Sequence, residues 1–298
     1  MKESVLKFGP KNTLVGVLSE PDQGDEIQES PIVVILNAGI VHRVGPFRLH
    51  VQLARRLVDQ GFRVFRLDLS GLGDSQIRVG KLTADERAKR DVEDAFDALS
   101  AKLGMDRFVL VGLCAGAYNS HRVSVSDDRV VGAVFMDGIV FRTLGFYFRD
   151  LLRFLRPRHY RNAIKRRLRR SADSENQADA RELAATEFFG ENLDREETRK
   201  EIELLLDRNV RMLFLYTDGY DDICGRAQFK EMYGIQPNND LLQLEYYEKS
   251  EHTYRLTENR TTAIERIANW FATGFQPATH AASTAPDADT ELSQPILS

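Results

Sequence analysis

Cysteine is scarce in this chain, with only Cys114 and Cys224 among 298 residues. Two thiols cannot build a disulfide framework, and neither has the neighbouring Cys or His spacing of a zinc site. The count leaves room for one reactive thiol, and nothing in the composition asks for a cofactor or a metal. Long apolar runs are also missing. The longest, 32–36 and 108–113, fall far short of the ~20 residues that a membrane-crossing helix needs. The amino terminus lacks the basic-then-apolar pattern of a secretory signal, so a cytoplasmic protein is expected. Charge of one sign is not in excess either: the net charge is −4, which gives no global argument for nucleic acid as a partner.

The chain is 42% apolar and 29% charged, enough to bury one large core. Two short β-like runs, 5–8 and 14–19, flank Gly9-Pro10-Lys11-Asn12, which has hairpin-turn chemistry. Strand-like runs follow at 32–36, 63–69, 107–113, 130–136, 212–216 and 242–247. Between them lie helical patterns near 47–60 and over 83–103, and a last helix runs from about 258 to 273 with the single tryptophan, Trp270. Alternation of this kind predicts an α/β fold with a mostly parallel sheet flanked by helices. About seventy residues between 140 and 211 have helical composition and no convincing strand, which suits a helical lid inserted over the sheet. The expected organisation is therefore a core of 1–141 and 207–274, a lid of 142–206, and a disordered tail of 275–298 rich in Ala, Thr, Pro, Ser and Asp.

The chemistry concentrates where the strand Phe108-Val109-Leu110-Val111 runs into Gly112-Leu113-Cys114-Ala115-Gly116. This is the glycine–x–nucleophile–x–glycine pattern in its required context of strand, sharp turn and helix. The central residue is held in strained backbone geometry, and only small residues fit two positions to either side. The turn lifts Cys114 over the start of the next helix, whose free N–H groups favour a thiolate. Cys224 has no such framing and reads as structural.

An elbow of this kind takes its partners in the chain order nucleophile, acid, base. His252, in the polar loop Lys249-Ser250-Glu251-His252-Thr253-Tyr254 after the last strand, stands where the general base belongs. The histidines at 42, 50, 121, 159 and 280 do not. The loop Tyr216-Thr217-Asp218-Gly219-Tyr220-Asp221-Asp222 offers three carboxylates for the acid, and the reach needed favours Asp221 or Asp222 over Asp218. Two backbone amides are needed for a developing oxyanion. One belongs to Ala115, and Gly39 or Ile40, in the turn Asn37-Ala38-Gly39-Ile40, is the candidate for the other.

The string Asn37-Ala38-Gly39-Ile40-Val41-His42-Arg43-Val44-Gly45, followed by a helix and then Phe65-Arg66-Leu67-Asp68-Leu69-Ser70-Gly71-Leu72-Gly73-Asp74-Ser75, resembles the serine-aminopeptidase-like α/β-hydrolases. More narrowly it is similar to the hydrolases that accompany the exosortase system and exopolysaccharide gene clusters in bacteria. The resemblance covers roughly 31–271 without the lid. It implies an α/β-hydrolase fold with a nucleophile, acid and base at the sheet end. Most of that superfamily has serine at the elbow. Cysteine at position 114 is similar to what dienelactone hydrolases and polyhydroxyalkanoate synthases carry.

Thiol chemistry suits ester or thioester cleavage and acyl transfer better than amide hydrolysis. The expected function is a cysteine-nucleophile acyl hydrolase or acyltransferase of thioesterase or esterase type. The alternative is a catalytically inactive binding protein on the same fold. Within 142–170, Arg149, Arg153, Arg156, Arg158, Arg161, Lys165, Arg166, Arg167, Arg169 and Arg170 crowd together against Asp150 alone, interleaved with Phe146, Tyr147, Phe148, Leu151, Leu152, Phe154 and Leu155. Such a basic, apolar face would suit an acyl carrier protein or a coenzyme A thioester, or else is a solvated face over an ordinary lid.

Overall fold

The structure, a computed structural model, describes residues 1–22, 30–154 and 193–275. Eight strands form one sheet: β1 (Lys2–Phe8), β2 (Leu14–Glu20), β3 (Ile32–Ile35), β4 (Val64–Asp68), β5 (Phe108–Leu113), β6 (Val130–Met136), β7 (Arg211–Thr217) and β8 (Leu242–Tyr247). Their order is β1-β2-β4-β3-β5-β6-β7-β8. β1 and β2 form an antiparallel hairpin whose second strand pairs antiparallel with β4; every later pairing is parallel. The parallel strands therefore all end on one edge of the molecule, which is where ligands bind in open α/β sheets.

The apolar runs are continuous because both faces of the sheet are covered. In β3, Val33 and Ile35 join a core beneath α1 (Leu49–Val58) and the last helix, while Ile32 and Val34 join the opposite one. All four are fully buried, each worth roughly 1.5–3 kcal/mol relative to exposure. On that opposite face, α2 (Ala84–Leu103) contributes Val92, Phe96 and Leu99, with Phe96 stacked on Phe108 at 4.0 Å. α2 begins where Thr83 and Glu86 form a capping box and stops at Gly104, which has a positive φ of 68°.

The remaining helices complete the two layers. α3 (Ala115–Ser126) leaves the elbow, and α4 (Leu144–Phe154) starts the stretch expected to form the lid. α5 (Arg195–Asp207), which the sequence reading assigned to that insertion, packs Ile202 and Leu205 into the core cluster that also holds Phe229 and Tyr233 of α6 (Ala227–Tyr233). Glu201 of α5 pairs with buried His121 at 2.7 Å, tying it to α3. The chain reaches α7 (Thr257–Gly274), where Trp270 and Phe271 are buried. Most of the basic stretch, from Arg156 to Arg170, and the tail expected past 275 lie outside the described residues. Among the described residues, no helix is long and apolar enough to cross a membrane.

Candidate active site

Cys114 has φ 57° and ψ −118°, a backbone conformation that L residues avoid, at the junction of β5 and α3. Strain of this kind costs on the order of 1–3 kcal/mol and persists only where the surroundings enforce it. Here they do. A side chain on Gly112 would sit 2.1 Å from the carbonyl of Gly116, and one on Gly116 would sit 2.5 Å from the Asn37 carbonyl oxygen. The strand end, the elbow and the turn after β3 therefore touch backbone to backbone.

His252 stands 27% exposed in the loop between β8 and α7. Its Nδ1 lies 3.1 Å from Oδ2 of Asp137, and Cys114 is near enough for its side chain to raise the proton affinity of the ring. Asp137 is fully buried. Its Oδ1 accepts the Thr217 amide at 2.7 Å and its Oδ2 accepts the Thr217 hydroxyl at 2.6 Å, so both oxygens are committed to fixing its position. Burial opposes protonation of the imidazole. The hydrogen bonds and negative charges of Asp137 and Cys114 outweigh it and push His252 up to about 10.

The carboxylate on the imidazole is thus Asp137, at the end of β6, and not Asp221 or Asp222 from the loop after β7. The reason is local. Turn hydrogen bonds from Tyr220 N to the Thr217 carbonyl and from Ile223 N to the Tyr220 carbonyl fold the 218–222 loop back on itself, anchored by fully buried Ile223. Asp222 is thereby turned outward to Arg142, at 2.7 Å, Asp221 is exposed, and Asp218 accepts the Tyr246 hydroxyl at 3.0 Å. What the loop delivers to the site is Tyr220, whose ring stacks on the imidazole at 5.0 Å and 18°. Burial pushes the Tyr220 phenol up, with the charge of Cys114 adding to it, so it stays a neutral wall beside the pair. The loop also needs Gly219: a side chain there would lie 2.6 Å from the His252 amide nitrogen.

The turn after β3 is held from beneath. Asn37 is 1% exposed; its Nδ2 donates to the Val41 carbonyl and to Asp68, and its Oδ1 accepts the Leu69 amide at 2.8 Å. Asp68 is fully buried and pairs with Arg43, which also reaches Asp74 at 2.6 Å. The residues of the Asp68-to-Ser75 string thus brace the 37–43 turn. Gly39 and Ala115 line one small cavity of about 30 Å³, so the structure brings these two together, whereas Ile40 carries a 66% exposed side chain. As the first residue of α3, Ala115 has an amide with no acceptor inside its own helix. Cys224 is buried away from this centre, its amide donating to Gln228. His50 is 2% exposed, and burial, helped by Arg66, drives it down to about 3, leaving a neutral core group. Among the described residues, no cluster of His, Cys, Asp and Glu is placed to hold a metal.

Residues 33–258 match the sequence profile of the alpha/beta hydrolase family. The chain belongs to that family. Solved structures agree on the fold. This hydrolase is similar to an esterase from Pyrococcus furiosus (TM-score 0.60, 12% identity, covering 92% of this chain and 91% of that one). It is also similar to a serine hydrolase without a lid from Xanthomonas campestris (0.55, 12%, 93% and 96%) and to proline iminopeptidase from Mycobacterium smegmatis (0.56, 15%, 91% and 98%). No curated protein matches its sequence.

Proposed function

We propose that this hydrolase is a cysteine-dependent acyl hydrolase or acyltransferase acting on an ester or thioester through Cys114, His252 and Asp137. The reading is carried by one observation: a single imidazole bonded to a buried carboxylate and electrostatically coupled to a side chain raised on a strained elbow. The Cys114 sulfur, its proton already resting on His252 Nε2, attacks the substrate carbonyl carbon. The carbonyl oxygen, now negative, is accepted by the amides of Ala115 and of Gly39 or Ile40. Collapse of this intermediate expels an alcohol or thiol, which takes the proton back from His252 and leaves an acyl group on sulfur. Water or an acceptor alcohol or amine then gives its proton to His252, attacks the thioester and restores the thiol. Asp137 holds the imidazole in the tautomer this relay needs and balances its charge.

Loading a thiol from another thioester is nearly neutral in free energy, and later transfer to oxygen or nitrogen runs downhill, which favours thioester donors. The resemblance of the 37–45 and 65–75 strings to the exosortase-associated hydrolases fits an acyl substrate of bacterial surface metabolism. The apolar residues that α4 exposes, Leu144, Tyr147, Phe148 and Leu151, together with the basic sequence that follows, fit a coenzyme A or carrier-protein thioester. The test is incubation with iodoacetamide and with a series of short aryl thioesters. The expected result is a single mass adduct on Cys114 and turnover that disappears in Cys114→Ala. Absence of both adduct and turnover across the series would leave a binding protein on a hydrolase fold.

A further inference from the structure

We propose that a groove beside the β1–β2 turn binds a small anionic amphiphile, a molecule with a phosphate or carboxylate head and a short apolar tail. The groove has a volume of about 570 Å³, and ligand pockets run from roughly 300 to 1,000 Å³. One wall is the hairpin turn at 10–14; the other is the 76–82 loop and the flank of α2 at Arg90. Lys11, Lys81 and Arg90 line it, all three exposed, and among the described residues none has an ion-pair partner within 4 Å. No acid lines the groove. Three carboxylates of α2 are already engaged: Asp91 and Asp94 by Arg78, and Glu86 by the amide and hydroxyl of Thr83, although Glu86 still feels the charge of Arg90.

Beside these cations the lining presents Ile77, 65% exposed, and Val79, 94% exposed. Uncompensated positive charge next to uncovered branched apolar side chains is the complement of an anion with a hydrocarbon tail. Inorganic phosphate would leave the apolar part wet, and a neutral lipid would leave the cations unused. The walls are fixed rather than collapsed. Gln76 N donates to the Thr13 carbonyl at 3.0 Å, Val15 N to the Ser75 hydroxyl at 2.9 Å, and Arg78 Nε to Asp91 at 2.9 Å. A preformed site loses less on binding than one that must order first. Because β2 runs antiparallel to β4 with Val15 opposite Asp68, the groove opens at the same end of the sheet as Cys114. Arg78 lines the groove while its partner Asp91 lines the cavity of Gly39 and Ala115, so one ion pair belongs to both.

Binding is read directly, independently of acyl chemistry, by titrating the ¹⁵N-labelled full chain with hexyl phosphate, hexanoate, hexanol and inorganic phosphate. Hexyl phosphate or hexanoate should saturate shifts at residues 11–14 and 76–82, binding about tenfold or more tighter than hexanol or inorganic phosphate. Lys81→Gln combined with Arg90→Gln should weaken it by about tenfold, and so should raised salt. Val79→Ser should weaken the amphiphile while leaving inorganic phosphate unchanged. Shifts confined to another surface, equal affinity in the double variant, or inorganic phosphate matching hexyl phosphate would overturn the proposal. All three substituted positions are exposed, so each variant retains the fold.

Discussion

Asp137 has no exposure to water, and Thr217 supplies it with two donors, so its carboxylate cannot swing to another partner. An orienting carboxylate held this way is worth a large factor in proton transfer, whereas one turned to solvent is worth little. Asp137→Asn should therefore lower kcat by about 10²–10⁴-fold with a smaller change in KM. Asp222→Asn, which breaks only the half-exposed contact with Arg142, should leave kcat within about twofold of wild type. Steady-state kinetics on one aryl thioester separates the two; a large loss in Asp222→Asn with Asp137→Asn active would return the role to the β7 loop. The sequence carried a signal for Asp137, a lone carboxylate directly after the strand-like run 130–136. Chain order alone pointed past it, because what decides is sheet adjacency: β6 lies between β5 and β7, with Leu113 opposite Met136 and Met136 opposite Leu215. Tyr220 escaped for a related reason, since a loop's aromatic residue declares its role only when the turn that folds it over the imidazole is known.

At the scale of elements, the strands were legible because burial on both faces leaves them as unbroken apolar runs, and the elbow because two glycines bracket a nucleophile between strand and helix. Boundaries set by backbone strain were not. The first helix begins at Leu49 and not near 47, because Phe47 and Arg48 adopt positive φ in the turn that precedes it. Within the stretch read as a lid, α5 turns its amphipathic stripe to α3 and α6 of the core, a pairing that composition cannot specify. The glycine at 116 links two of these elements, since any side chain there meets the Asn37 carbonyl. Gly116→Ala should destabilise the protein by about 1–3 kcal/mol, read as a lower midpoint in urea. Because Asn37 begins the turn that presents Gly39, turnover of the folded fraction should fall as well. A midpoint and kcat both equal to wild type would show that α3 can retreat from the β3 turn without cost.

Across the whole molecule, the raised affinity of His252 for its proton makes stability depend on pH in a definite direction. The folded chain holds that proton up to about 10, whereas an unfolded chain releases it near 6.5. Between those values the native state binds more protons than the unfolded state, so unfolding releases protons and the stabilisation declines as pH rises. It is fully present below pH 6.5 and gone above about 10. Cys114 also raises the proton affinity of the imidazole, so the contribution of Asp137 is best isolated in a Cys114→Ala background. There, the stability lost on adding Asp137→Asn should be largest near pH 6 and shrink steadily toward pH 10, as measured by urea denaturation at fixed ionic strength. A loss that stays constant with pH would mean that the buried carboxylate stabilises the fold through Thr217 alone. In that case the imidazole takes no charge from it, and the relay proposed between position 114 and position 137 would lack its electrostatic support.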